Sequence, residues 1–144
     1  MKPAVLLDTN VWVSAFLNAQ GTPARLVQAW LNGALDVVIA LPILEEIGDV
    51  LRRPRIRRKY RIREEDIVQH LRLIAAGATV VPVVGTMKLC RDPDGDVLLE
   101  IAIAGGAKYL VTRDDDLKRD LDLIRHMKDH GVQVMSVAQF LATL

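Results

Sequence analysis

The sequence predicts an α/β fold in which one mostly parallel sheet is wrapped by helices. Two observations carry this reading. Short apolar runs such as Ala4-Val5-Leu6-Leu7, Leu35–Leu41 (broken only by Asp36) and Tyr109-Leu110-Val111 recur along the chain, the pattern of strands buried on both faces. Longer segments with apolar residues at helical spacing lie between them, and strands alternating with helices build a parallel sheet. At 144 residues the chain has the length of one domain, residues 1–144.

Each element has its own signals. The first run stops abruptly at Asp8-Thr9-Asn10, and a helix over Val11–Leu17 follows, with Asn10 near its cap. Thr22-Pro23 supplies an N-cap and a proline at the first helical position. Leu26, Val27, Trp30 and Leu31 share one face of that helix, and Gly33 stops it. After the second run, Pro42 opens a third helix that turns Leu44, Ile47, Val50 and Leu51 to the core and carries Glu45 and Glu46 near its start. Arg52–Arg63 reads as a helical elbow interrupted by Pro54. Glu64-Glu65-Asp66 then begins a fourth helix with acids at its positive end, closing at Gly77. Thr79–Val84 is expected to be a strand, placed by Pro82 at an edge or an ending.

Asp92–Asp96 is expected to be a loop running into a helix over Val97–Ala104. That helix is apolar almost all round apart from Glu100, so deep burial is expected, and Gly105-Gly106 forms its C-cap. Behind Tyr109–Val111 comes Thr112-Arg113-Asp114-Asp115-Asp116, then a helix over Leu121–His130 and a last strand over Val132–Met135. Ser136 and Gln139 make a capping box for the final helix.

Composition narrows the function. Apolar residues make up 51% and charged residues 26%, as in a soluble globular protein. A net charge of +1 does not mark a nucleic-acid binder, and 4% aromatic content argues against a single-strand binder built on stacking platforms. Cys90 is the only cysteine; it cannot form an internal disulfide, reads as a packing residue, and points to a reducing cytoplasm. The N-terminal stretch lacks the long apolar region of a signal peptide. No apolar run approaches the roughly 18 residues that span a bilayer, so no membrane association is expected.

The chemistry is expected where acids gather. Asp8 and Asp114 follow the carboxyl ends of predicted strands, Asp96 opens the apolar helix, and Glu46 lies in the first turns of another. Right-handed crossovers bring such positions to one edge of a parallel sheet. Converging carboxylates repel, and a divalent cation relieves the repulsion. Oxygen ligands without a His or Cys cluster favour Mg²⁺ or Mn²⁺, and the matching reaction is attack of metal-activated water on a phosphodiester. Singly, each acid has an ordinary explanation: Asp8 as a cap, Glu46 as a solvated first-turn acid, Asp92, Asp94 and Asp96 as a turn with an N-cap, Asp114–Asp116 as an Asx-turn. Their joint placement favours the site.

With VLLDTNVWVSAF at the start, LPILEEIGDVLRRP, CRDPDGDVLLEIAIAGGAKYLVTRDDDL and the closing VQVMSVAQFLATL, the chain resembles the PIN-domain family over essentially its whole length, in particular VapC-like bacterial toxin ribonucleases. The resemblance implies a three-layer α/β/α domain and a Mg²⁺- or Mn²⁺-dependent endoribonuclease acting on RNA. It assigns the catalytic and metal-binding acids to Asp8, Glu46, Asp96 and Asp114. Asn10, Thr112, Asp116 and Asp92 fall on supporting positions. It further implies a small antitoxin partner and a homodimer or higher homo-oligomer. A PIN-fold nuclease of RNA maturation or turnover, or a non-catalytic Mg-binding interaction module, carries the same motifs. One departure is Ala40-Leu41-Pro42, where the family often has a serine before the third helix.

Arg52–Arg63 holds eight basic residues in twelve. Arg52, Arg53, Arg55, Arg57 and Arg58 are candidates for contact with RNA or a partner, against the simpler reading of a solvated face. His126 and His130 stand four apart on a predicted helix, yet lack the glutamate of the zinc-protease motif, and read as solvated. Trp12, Phe16 and Trp30 read as core or dimer-interface residues. A signalling receiver would need paired acids after the first strand, and a haloacid-dehalogenase-type phosphatase would need Asp-x-Asp where Asp8-Thr9-Asn10 stands.

Overall fold

The computed structural model describes residues 2–144. Five parallel strands form its sheet: β1 (Ala4–Leu7), β2 (Asp36–Ile39), β3 (Thr79–Val80), β4 (Tyr109–Val111) and β5 (Gln133–Met135). Their order is β3-β2-β1-β4-β5. Val5 pairs with Val37 on one side and Tyr109 on the other. The chain therefore builds outward from β1 in one direction and returns to add β4 and β5 in the other. The crevice between β1 and β4 is the topological switch point, where open α/β sheets keep their ligand sites.

Both strands at the switch are continuous apolar runs because they are covered on both faces. Val5, Leu6, Leu7, Leu110 and Val111 are fully buried. Along the side of β1, helices α1 (Thr9–Leu17), α2 (Thr22–Leu31), α3 (Leu41–Leu51) and α5 (Glu64–Gly77) pack together, with α4 (Pro54–Tyr60) as the link between α3 and α5. Trp12 and Trp30 meet edge to face at 5.3 Å between ring centroids. Both are buried, whereas Phe16 is half-buried against the ring of His70. Ala40 is the N-cap of α3 and offers no side-chain cap, so Pro42 alone marks that start.

α6 (Pro93–Gly105) lies over β1 and β2, followed by α7 (Asp115–Lys118), α8 (Leu121–Asp129) and α9 (Val137–Leu141). Gly105 is where α6 comes closest to the sheet: a Cβ there would stand 2.6 Å from Cγ1 of Val38. Gly106 ends the helix at φ 64°, a conformation that suits glycine.

Four expectations need correcting. α2 has Gly21, not Thr22, as its N-cap, with Thr22 and Pro23 as its first two residues and no side-chain cap. The third strand is two residues long, not six; after Val81 N donates to Ile39 O at 2.8 Å, Pro82 has no N–H to extend the ladder. It is nevertheless an edge strand. α6 begins at Pro93, earlier than expected, because Asp92 caps it by accepting from Asp94 N at 2.9 Å. It is also covered on one side only: Leu98, Leu99, Ile101 and Ala102 are buried while Ile103 and Ala104 face solvent. Among the described residues no helix is long and apolar enough to cross a membrane.

Candidate active site

Asp8 is placed by the end of β1. Its own N–H donates to Val111 O at 2.9 Å, tying the exit of β1 to β4. Its side chain is the N-cap of α1, accepting from Thr9 N at 2.8 Å. The hydroxyl of the fully buried Thr112 donates to Oδ2 of Asp8 at 2.8 Å. Asn10 Nδ2 reaches the same oxygen at 3.3 Å, and Oδ1 of Asn10 accepts from Arg113 N at 3.1 Å. Thr112 Oγ1 in turn accepts from Asp114 N at 3.0 Å. One hydrogen-bonded chain thus fixes Asp8, Asn10, Thr112 and Asp114 across the switch point.

These residues open into a cleft of about 490 Å³ whose walls include Asp8, Asn10, Glu46, Asp92, Asp94 and Asp114. Glu46 comes from α3, Asp92 and Asp94 from the start of α6, and Asp114 from the N-cap of α7. Arg53 is the sole basic residue on the wall. Burial pushes the Asp8 carboxyl above its usual range. This outweighs the hydrogen bonds from Thr112 and Thr9 that favour its charged form, and the negative charges of Asp114 and Asp94 add to the rise.

The structure brings Asp8, Glu46, Asp114, Asn10 and Asp92 to the cleft, but not Asp96. The carboxylate of Asp96 accepts from Leu89 N at 2.9 Å and Cys90 N at 2.7 Å, and these amides hold it below the usual carboxylate range. The reason is the early start of α6. With Asp92 as cap, Asp96 sits a turn inside the helix and faces away from the cleft, whereas Asp94 faces into it. Asp94 thus lines the cleft, a placement that reading the sequence did not foresee, having treated it as part of a turn; the signal was the pair Asp92-Pro93, an N-cap followed by N1 proline. Asp116 also lies outside the cleft, lining a neighbouring hollow with Arg91, Asp92 and Asp120.

The other candidates separate as well. Arg52 is held by Glu64 at 2.8 Å, and Arg57 stands 3.8 Å from the same carboxylate. Arg58 donates to Pro54 O. The Cys90 thiol is pushed up to about 12, first by burial and then by Asp96, and is therefore inert as a nucleophile. His126 is half-buried with Nε2 3.4 Å from Asp122, and His130 Nδ1 is 2.8 Å from His126 O.

The donors around the cleft are hard oxygens, and their mutual repulsion at a half-buried carboxyl suits a divalent cation. Among the described residues no three His, Cys, Asp or Glu side chains form a ready-made ion cage. Such a cleft matches a cation that keeps part of its water, as Mg²⁺ does.

A parallel α/β domain with an acidic cleft at its switch point is the class of protein that fold and site define. Residues 4–116 match the family model described as PIN domain, and the chain belongs to the PIN-domain family. It is 26% identical over 134 residues to the uncharacterised protein MJ1680 of Methanocaldococcus jannaschii, covering 93% of this chain and 85% of that one. The fold is similar to that in the crystal structure of VapBC2 from Rickettsia felis bound to a DNA fragment from its promoter. There the TM-score is 0.54 and the identity 14%, over 92% of this chain and 98% of that one.

Proposed function

We propose that the protein is a divalent-metal-dependent endoribonuclease that hydrolyses RNA phosphodiester bonds, acting as the toxin of a toxin–antitoxin pair. The observation that carries the reading is the meeting of Asp8, Glu46, Asp92, Asp94 and Asp114 around one cleft at the switch point, with the Asp8 carboxyl raised by burial and by its acidic neighbours. Membership of the PIN-domain family supports the nuclease class. Likeness to the toxin–antitoxin complex of Rickettsia felis supports a small antitoxin partner, and self-association as a homodimer or larger homo-oligomer belongs to the same reading.

Asp8, Asp94, Asp114 and Glu46 are the oxygen donors offered to Mg²⁺ or Mn²⁺. Bound there, the ion would acidify a water and neutralise charge on the phosphate. The chain's own part is pre-organisation. Thr112 and Asn10 spend their hydrogen bonds on Oδ2 of Asp8 and fix the carboxyl plane. The Thr112 hydroxyl holds the amide of Asp114, so the two acids keep their spacing. Arg53 supplies the one positive charge on the wall for a substrate that the acids alone would repel.

The test is RNA cleavage with Mn²⁺ by wild type and Asp8→Asn. Wild type should cut, EDTA should abolish cutting, and the variant should lose at least about a hundredfold in rate, the scale of removing one pre-organised charge from a site. Cleavage indifferent to both EDTA and the substitution would end the reading.

A further inference from the structure

A second groove, of about 480 Å³, adjoins the acidic cleft on the α4 side. It is lined by Leu17, Arg53, Arg55, Ile56, Lys59 and Tyr60. Arg53 lines both hollows, so one side chain joins the acidic floor to a basic channel. Arg53, Arg55 and Lys59 have no acidic partner among the described residues, whereas Arg52, Arg57 and Arg63 on the same arm are engaged by Glu64, Glu65 or Asp66. The arm's charge is thus divided: part is neutralised internally, and three of the cations without an acidic partner line this groove, while Arg58 and Arg61 lie outside it. Between the cations lies an apolar surface of Leu17, Ile56 and Tyr60. Tyr60 is 43% exposed and Lys59 Nζ stands 5.4 Å from its ring centroid.

We propose that this groove is a binding subsite for single-stranded RNA flanking the cut bond. The strand leaves the cleft past Arg53, sets its phosphates against Arg53, Arg55 and Lys59, and rests one base on Tyr60 and Ile56. The inference rests on the nuclease reading of the adjoining cleft. Continuity through Arg53 favours RNA over an acidic protein segment, because a polyanion held at the cleft meets the wall's one cation there and finds two more beyond it. The apolar surface favours a single strand, whose base faces are free, over a duplex, whose bases are stacked away. One tyrosine seats one base, so cations supply most of the affinity, in keeping with the low aromatic content.

The experiment measures anisotropy of a fluorescent ten-nucleotide single-stranded RNA titrated with the full chain in EDTA, across a salt series, for wild type, Arg55→Ala, Tyr60→Ala and Arg58→Ala. Tyr60→Ala should weaken binding about fivefold or more, the loss of one stacked base, with the salt slope unchanged. Arg55→Ala should lower the slope of log K against log salt by about 0.7, one phosphate contact on a single strand. Arg58→Ala removes the same charge from the same helix outside the groove, and should change the slope by less than half as much. Both groove variants should raise KM for cleavage and leave kcat unchanged, and thermal melts should confirm that they fold. Equal effects of Arg55→Ala and Arg58→Ala, binding indifferent to Tyr60→Ala, or absence of RNA binding at low salt would overturn the subsite. If wild type cuts RNA while the groove variants match it, the subsite falls and the nuclease reading stands. If wild type binds as expected but Mn²⁺ brings no cleavage, the nuclease reading falls instead.

Discussion

Two residues along an α-helix correspond to a rotation of about 200°, so the carboxylates of Asp94 and Asp96 on α6 cannot both face the cleft. Asp94 lines it, and Asp96 instead takes the amides of Leu89 and Cys90. The two acids should therefore respond differently to the same loss of charge. Asp94→Asn should weaken Mn²⁺ binding by at least about tenfold, equivalent to about 1.4 kcal/mol. Both amides donate to the same oxygen, Oδ1 of Asp96, so Asp96→Asn keeps an acceptor for both and loses only the charge that strengthens the two bonds. It should bind Mn²⁺ within about threefold of wild type and show its cost in folding stability, about 1 kcal/mol for the difference between charged and neutral hydrogen bonds. Calorimetric Mn²⁺ titration with a thermal melt separates the two effects. A larger affinity loss in Asp96→Asn would mean that Asp96, not Asp94, serves the ion. Asn10 and Thr112 were candidates only through the family resemblance, whereas Asp8 and Asp114 were legible from the sequence pattern itself because each lies just past a strand end, where geometry leaves little freedom. The acid on α6 was not, since its direction depends on which residue caps the helix.

Among the elements, the strands at the switch point could be read because burial on both faces makes them uniformly apolar. β3 could not be read to its length, because the apolar residues beyond Val80 continue the composition while Pro82 ends the pairing. The segment Val83–Arg91 has no regular structure, and its restraints are non-local. Glu100 accepts from Val84 N and Gly85 N, Asp96 from Leu89 N and Cys90 N, and Asp122 from Arg91 N. No periodicity in that segment announces such contacts. Glu100, the lone charge within the apolar stretch Val97–Ala104, was the available hint. α5 carries a different hidden feature. His70 has its Nε2 buried without a partner among the described residues, packs on Phe16 at 4.9 Å and shares a hollow with Arg25. Burial lowers it from 6.5 to about 4. A histidine depressed in the folded state stabilises the fold above its unfolded pKa, and that contribution is lost as pH falls from about 6.5 towards about 4. At about 1.4 kcal/mol per unit, the loss is on the order of 3 kcal/mol. His70→Leu should lose less stability than wild type over that window in urea unfolding at stepped pH. Parallel curves for the two proteins would show that His70 titrates freely in the fold.

For the whole molecule, the sheet order places the acidic cleft at the meeting of β1 and β4, so an ion bound there would be held by segments from both halves of the chain. Glu46 arrives from the β2 side through α3, Asp8 from the centre, Asp94 from α6 and Asp114 from behind β4. Unfolding separates all four, so an ion bound only by the fold should stabilise the whole domain. At a free concentration of one hundred times Kd the gain is about 2.7 kcal/mol. At about 2–4 °C per kcal/mol for a chain near this size, Tm should rise on the order of 5–10 °C with Mn²⁺. The gain also carries a pH dependence of known sign. The Asp8 carboxyl is raised in the folded state, so its contribution to metal-free stability is complete below the ordinary carboxylate value of 3.8 and is lost as pH rises through the raised folded value. Below that value Mn²⁺ must displace a proton, and above it the ion meets a carboxylate already charged and repelled by its neighbours. The Mn²⁺-dependent increment in Tm should therefore grow with pH over this window and be much smaller in Asp8→Asn. Taking the difference with and without metal in each protein removes the background from His70 and from carboxylates outside the cleft, and the comparison with Asp8→Asn separates the share of Asp8 from that of the other cleft acids. An increment that is independent of pH, or equal in the two proteins, would place the stabilising ion somewhere other than beside Asp8.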